Sequence, residues 1–537
     1  MEPAPLLHRR PAADAGLFLA PALAVVASLL LAHHRLLASG LARVPGDAGD
    51  VRFVHYCIEH TWVWLVGHPL HRRFWELPFF HPAPDVGAYS DVLLGVAPPY
   101  WLFRALGAGP DRAYALWLLT TTALNAAVGT WALRTVLGVG RVAAAMGAVL
   151  LAAGAPRIHV LNHPQLVGAA WLLLVLGLVA GALRAPGTVR ARLAWLGAGL
   201  AFAAQAWSSY YLWWFLGLGL GVAAAVALAG RRTRGVLGEA LRQDGRAIGC
   251  AALLSALLLF PLLHTWWQVA QVVGLRPVQN VFLARGQSWL NPGPDSWWYG
   301  ALVRRLPGLR TQTGEQELGV GLVTTGVALA GLWWARHRPV ARVLAVTAAL
   351  LVVLGTQLGP WRGASPWNAV AALLPGAAAI RAVPRLGLLV LLAWAAGLAL
   401  AVDAARRRGW WAAALLGLGC LLEQGVSFAH FSPAEERGRV DRLAAAVVPR
   451  CAAFVYTPAP DGWPAWRSQI DAVWATDASG VPTLNGYSGN LPPGWGLEDC
   501  LVRGPADRAR LDTAAADWIR RWGLQGEVCR LPPGQGL

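Results

Sequence analysis

The sequence predicts an all-α polytopic membrane protein of about eleven transmembrane helices, with a small C-terminal α/β domain outside the bilayer. Three observations carry this expectation. The chain of 537 residues is 56% hydrophobic and 14% charged, whereas a soluble chain carries nearer a quarter charged residues. Apolar runs of about 17–25 residues recur, each long enough to cross a bilayer, and they are continuous rather than alternating, which argues against a β-barrel. The connections fall into two kinds, short and Arg-rich, or long and rich in Trp, the first of them with many His and the second with Gly and Pro.

The formal charge of +17 comes entirely from Arg, since the chain contains no Lys. Abundant Ala, Gly, Arg and Pro beside absent Lys points to a GC-rich coding sequence, hence a bacterium. The Arg residues cluster in short connections, the positive-inside pattern. A phosphate-tracking patch would be distributed differently, so nucleic acid is not an expected partner.

Taken in order, Arg9 and Arg10 place the start of the first span, about 15–34, in the cytoplasm as a retained signal-anchor. The connection 36–112 then lies outside, and its amphipathic pattern suits two helices lying on the membrane surface. Spans at about 113–136 and 142–156 flank Arg134 and Arg141 on the inside. The short outer turn 155–166 carries Arg157, His159, Asn162 and His163. It reads either as a polar turn with a Pro breaker or as a cluster suited to anionic oxygens.

Spans at about 165–183, 193–208 and 211–229 follow, with Arg184, Arg190 and Arg192 inside. The aromatic turn QAWSSYYLWW between the last two reads as interface anchors. A basic inside loop holds Arg231, Arg232, Arg234, Arg242 and Arg246. After a span at about 247–263 comes a second long outer loop, 264–317, with Asp295, Glu315 and Glu317, of a length often given to functional lids. Spans at about 318–335, 340–358, 386–403 and 409–425 complete the membrane part, residues 1–425. Outer Arg362, Arg381 and Arg385 sit against the positive-inside rule and are candidates for an anionic ligand. Residues 426–537 read as a periplasmic domain. Three of the six Cys fall there, no CxxC occurs, and Cys500 with Cys529 is the expected disulfide. Of 13 His, only His8 and His337 fall in inner segments, so the reactive face is the outer one.

The first outer loop concentrates the chemistry. It holds Asp47, Asp50, Arg52, His55, Glu59, His60 and Asp91, and ionisable groups close to a bilayer are functional candidates by default. Pro45-Gly46-Asp47 and Gly49-Asp50 are turn and cap signals, placing Asp50 at or near the mouth of a helix. Arg52, His55, Tyr56 and Glu59 then share one face.

In layout, and in the stretches GDAGDVRFVHYCIEH, FFHPAPDVGAYSDVLLG and TLNGYSGNLPPGW, the chain resembles an uncharacterised bacterial branch of the GT-C superfamily of membrane glycosyltransferases. The resemblance implies transfer of a sugar from a polyprenyl-phosphate donor to a lipid, glycan or protein acceptor on the periplasmic face of the inner membrane. It implies a catalytic acid in the first outer loop, here Asp50 or Asp47. The two are separated by Ala48 and Gly49 where the superfamily often has adjacent acids, so which one is the base stays open. Arg52, Arg157, His159, His163, Arg381 and Arg385 are expected at the donor phosphate, with Glu59 and Asp91 as further site residues. Some relatives use a metal and some do not; Mg²⁺ or Mn²⁺ on Asp50 and Asp91 would suit oxygen ligands. The alternative is a transporter or flippase of a lipid-linked or anionic solute. Such proteins usually place charges near the midplane in repeated halves, and neither feature is evident.

Overall fold

The computed structural model describes residues 19–274, 282–309, 311, 313–358 and 365–531. His8, Arg9, Arg10 and Arg362 lie outside the described residues. Helix α1 (Leu19–Ala38) leads through strand β1 (Val44–Pro45) to α2 (Asp50–Leu65) and α3 (Pro98–Ala105). Then come α4 (Pro110–Leu137), α5 (Arg141–Ala153), the short α6 (Ala155–His159), α7 (Ala170–Arg184), α8 (Val189–Ala206), α9 (Tyr210–Ala229) and α10 (Arg231–Val273). The second long connection contains α11 (Gly300–Arg305). It is followed by α12 (Leu322–Trp334), α13 (Pro339–Gly355), α14 (Trp367–Leu373), α15 (Gly387–Arg406) and α16 (Trp410–Leu422). The C-terminal segment consists of β2 (His430–Phe431), α17 (Pro433–Ala445), β3 (Ala453–Tyr456), α18 (Ala465–Ser479), α19 (Pro505–Trp522) and β4 (Val528–Leu531).

Every expected span meets a helix: α1, α4, α5, α7 to α10, α12, α13, α15 and α16. Among the described residues, 7 helical stretches are long and apolar enough to cross a membrane, while α12, α13 and α16 are shorter apolar helices. The chain is a multi-pass membrane protein. One boundary differs from expectation. The basic stretch from Arg231 to Arg246 is the first part of the 43-residue α10, not a loop, because its Arg, Leu, Ala, Glu and Gln are good helix formers.

Helix α15 runs through the middle of the bundle, with most of its length buried. Small residues let its neighbours approach closely, the usual device between helices in lipid. A Cβ on Gly331 of α12 would lie 2.0 Å from the Gly397 carbonyl, and one on Gly147 of α5 would lie 2.7 Å from the Ala395 carbonyl. At one end of the bundle the Arg-rich connections are tied together. Gly140 N–H donates to Asp403 (2.9 Å) and Gly187 N–H to Asp244 (3.0 Å).

The first long connection and the C-terminal segment share a single apolar core, in which Val51, Tyr56, Phe79 and Tyr100 pack with Val440, Phe454, Ile470 and Trp518. Strand β1 pairs antiparallel with β2, and β3 pairs parallel with β4. This packing corrects two expectations. Helix α2 does not lie on a membrane surface, since it is buried from Val51 to Thr61. α3 retains the surface character, with Leu102 and Leu106 exposed. The disulfide joins Cys451 to Cys529, and Cys500 is free and buried. The β3–β4 pairing sets Phe454 opposite Cys529, which brings Cys451, just before β3, within reach.

Candidate functional site

Pro45, Gly46 and Asp47 form the turn before α2. Gly46 has φ +109, and a side chain there would meet Val51 and Asn162. Gly49 holds the cap position, and Asp47 braces the turn before it: its Oδ1 accepts the Gly49 N–H at 2.8 Å, and its own N–H donates to Asn162 Oδ1 at 2.9 Å. Asp50 is therefore the first helical residue rather than the cap. Its carboxylate is freed from the turn and projects, with Phe53 and Val54, into a cavity of about 900 Å³. The cavity is closed by the 155–166 turn, the start of α9, the end of α10, the 313–317 segment, the approach to α15 and the loop around Tyr487.

Four charged groups form a chain along one wall. His163 Nδ1 lies 2.8 Å from Asp50 Oδ2, and its Nε2 lies 3.1 Å from Glu315 Oε1. Arg385 Nε donates to both Glu315 oxygens at 3.0 Å. The Arg385 guanidinium stacks on the Tyr211 ring, 4.7 Å from its centroid. The Tyr211 hydroxyl accepts the N–H groups of Arg381 and Ala382. Tyr487 donates its hydroxyl to the other Asp50 oxygen, and its ring packs edge-on against Phe53. Asp50 is thus held from both sides in one orientation.

Burial works against ionisation of Asp50. The contacts with His163 and Tyr487 and the charge of Arg385 outweigh it and hold the carboxyl below its usual range. For Glu315 burial is likewise outweighed, by Arg385 and His163, and its acidity is strongly increased. Elsewhere in the cavity burial wins: Asp91, whose carboxylate accepts the Tyr210 N–H at 2.6 Å, is raised to about 6. Burial, with Asp295 nearby, raises Glu317 to about 7. Arg381 lines the cavity and, among the described residues, makes no ion pair; its guanidinium lies over Gly489, where a Cβ would come within 2.5 Å of it.

The expected site residues divide accordingly. Asp50, Asp91, His159, His163, Arg381 and Arg385 line the cavity. Asp47 serves the turn. Arg52 does not line the cavity: it is buried between Glu436 (3.0 Å) and Asp471 (2.7 Å) of the C-terminal segment. Glu59 is held by Arg104 at 2.9 Å and by the Tyr100 hydroxyl. Arg157 donates to the carbonyls of Leu151 and Leu166, clamping the 155–166 turn. The polar face of α2 is thus an internal joint, because the C-terminal segment covers it, and the face turned to the cavity is that of Asp50, Phe53 and Val54. Glu315, Tyr211 and Tyr487 were not expected as site residues. Glu315 was visible as an acid in the second long loop, and Tyr487 as a polar tip after Asn-Gly, but nothing local ties either to Asp50.

No protein-family model matches the sequence, and no curated protein shows significant similarity to it. Solved structures do resemble it. The oligosaccharyltransferase of Archaeoglobus fulgidus, in complex with Zn and sulfate, superposes with TM-score 0.51 at 15% identity, over 87% of this chain and 62% of that one. The archaeal oligosaccharyltransferase AglB from the same organism, bound to an inhibitory peptide and a dolichol-phosphate, gives TM-score 0.52 at 13% identity, over 93% and 68%. ArnT from Cupriavidus metallidurans gives TM-score 0.45 at 14% identity, over 87% and 84%. The chain spans under two thirds of the length of the first of these. The likeness to the oligosaccharyltransferase shows the fold: this chain shares the architecture of that archaeal protein.

Proposed function

We propose that this protein is a membrane glycosyltransferase that moves a sugar from a polyprenyl-phosphate donor to a hydroxyl-bearing lipid, glycan or protein acceptor. The observation that carries the reading is Asp50, ionised and oriented at the wall of a large cavity at one end of a GT-C-type bundle. In this mechanism the acceptor hydroxyl gives its proton to Asp50 as its oxygen bonds to the anomeric carbon. The bond from that carbon to the phosphate oxygen breaks, and polyprenyl phosphate leaves. Arg381, which makes no ion pair among the described residues, takes the leaving phosphate. Arg385, Glu315 and His163 act through Asp50, fixing its position. A flanking apolar groove lined by Phe202, Leu259 and Phe260 shares Leu263 and Trp267 with the cavity and offers a path for the lipid tail.

The Zn in the similar structure and the expected Mg²⁺ or Mn²⁺ raise the question of a metal. Asp50 already engages His163 and Tyr487. Among the described residues no three His, Cys, Asp or Glu side chains are set to hold an ion. As it stands this donor set does not fit a divalent ion, and the mechanism above uses none.

We place the protein in a bacterial inner membrane with the N-terminus cytoplasmic and residues 426–537 periplasmic, the division at about 425 following the last span. The gathering of the Arg-rich connections at the end opposite the cavity supports this orientation. In cells, Asp50→Asn is expected to abolish a sugar-bearing envelope product. Arg-to-Ala changes at Arg232, in the basic start of α10, or at Arg407, just after α15, should leave it intact. The reverse pattern would put the site on the wrong face.

A further inference from the structure

The cavity contains a second acid–imidazole pair that the mechanism does not use. His159, at the end of α6, and Glu317, two residues beyond Glu315, both line it, with side chains only 7% and 12% exposed. His159 Nδ1 lies 3.1 Å from Glu317 Oε2 but outside hydrogen-bonding geometry, and among the described residues neither ring nitrogen makes a well-formed hydrogen bond. Buried imidazoles are normally satisfied, so two unmet nitrogens on a residue that lines the cavity mark a place for a ligand. Glu317 is also undersubscribed: among the described residues its other oxygen accepts a side-chain hydrogen bond from Thr311 Oγ1 alone, at 3.4 Å.

A glycine makes the pair fit. Gly293 has φ +87, and a Cβ there would lie 2.5 Å from Glu317 Oε2 and 2.6 Å from His159 Cε1. The chemistry of the pair is that of hydroxyl recognition. An imidazole offers one donor and one acceptor, and a carboxyl offers acceptors, so neighbouring ring hydroxyls can each find a partner. Burial, reinforced by Asp295, keeps the Glu317 carboxyl easily protonated, which adds a donor.

We propose that His159 and Glu317, seated on Gly293, form the subsite that recognises hydroxyl groups of the transferred sugar and so sets which sugar is accepted. This rests on the glycosyl-transfer reading given above. It differs from the phosphate-binding role that the sequence suggested for His159.

The test uses the full-length protein in nanodiscs and measures binding of a short-chain prenyl phosphate, with and without a panel of attached pentoses and hexoses. In the wild type at least one sugar should tighten binding about 10-fold over the bare prenyl phosphate. His159→Ala and Glu317→Ala should remove that gain and leave bare-phosphate binding unchanged, while Glu317→Gln should keep part of it. Arg381→Ala should do the opposite and weaken both ligands together. The subsite is overturned if the gain survives in both alanine variants, if they lose bare-phosphate binding as well, or if no sugar on the panel tightens wild-type binding. Transfer to acceptor is followed on the same samples. Sugar-dependent binding without any transfer would remove the transferase reading and leave the subsite. Absence of all binding would overturn both.

Discussion

Asp50 is held by His163 on one oxygen and Tyr487 on the other, and the neighbouring side chains can be ranked by how they act on it. Asp50→Asn removes the base and should lower transfer by about 10²–10⁴-fold. Glu315→Gln only loosens His163, so transfer should fall less, with the effect in kcat rather than KM. Arg52→Ala should behave quite differently. Its guanidinium joins α2 to Glu436 and Asp471 away from the cavity, so its loss should lower thermal stability and leave the KM for donor unchanged. The cost stays below the roughly 3–5 kcal/mol of an unpaired buried charge, because Arg439 and Arg467 also serve these acids. Glu317 gives a pH signature. Its folded-state value of about 7 lies above the ordinary 4.5, raised by burial and Asp295 against the smaller opposing effect of Thr311, with His159 as the neighbouring titratable group. The stability it contributes is full below about pH 4.5 and is lost as pH rises through 7, by about 3 kcal/mol at most. Melting curves across this range should slope for wild type and flatten for Glu317→Gln. Asp50 was legible in the sequence from its turn and helix-mouth position. Tyr487 was not, because it reaches Asp50 across a separation of 437 residues.

Among the elements, the α12–α15 contact makes the sharpest claim. Gly331 meets the Gly397 backbone so closely that any side chain must push the helices apart, whereas Gly326 on the same helix has nothing within 4 Å. Gly331→Leu should sharply reduce the folded, detergent-extractable protein, while Gly326→Leu should not; size-exclusion profiles distinguish them. Hydrophobic runs made these helices readable one by one, since length and apolarity are local properties. Their packing was unreadable because it depends on which small residues face one another. The same limit explains α2. The spacing of Arg52, His55, Tyr56 and Glu59 placed them on one face, but only the tertiary partners turn that face into a buried joint. The C-terminal segment supplies Glu436, Asp471 and Asp477 to this joint.

For the whole molecule, the catalytic reading requires that the first long connection and residues 426–537 act as one unit over the bundle. Their shared core and the pairing of β1 with β2 support this, and the Cys451–Cys529 disulfide braces the C-terminal segment itself. Replacing both cysteines by Ser should cost roughly 2–4 kcal/mol of stability, seen as a lower melting temperature only in protein purified without reductant. The overall layout was legible because apolar runs and Arg-rich inner connections recur along the chain; the cavity was not, because stretches scattered from Asp50 to Asn490 line it. The most direct measurement is transfer by the purified protein in proteoliposomes, from a panel of labelled polyprenyl-phosphate sugars to endogenous envelope acceptors, with Asp50→Asn as the control. The account predicts transfer from at least one donor that disappears in Asp50→Asn while folding is intact. Transfer at the same rate in Asp50→Asn, or movement of intact lipid-linked sugar across the bilayer with no new glycosidic bond, would contradict it.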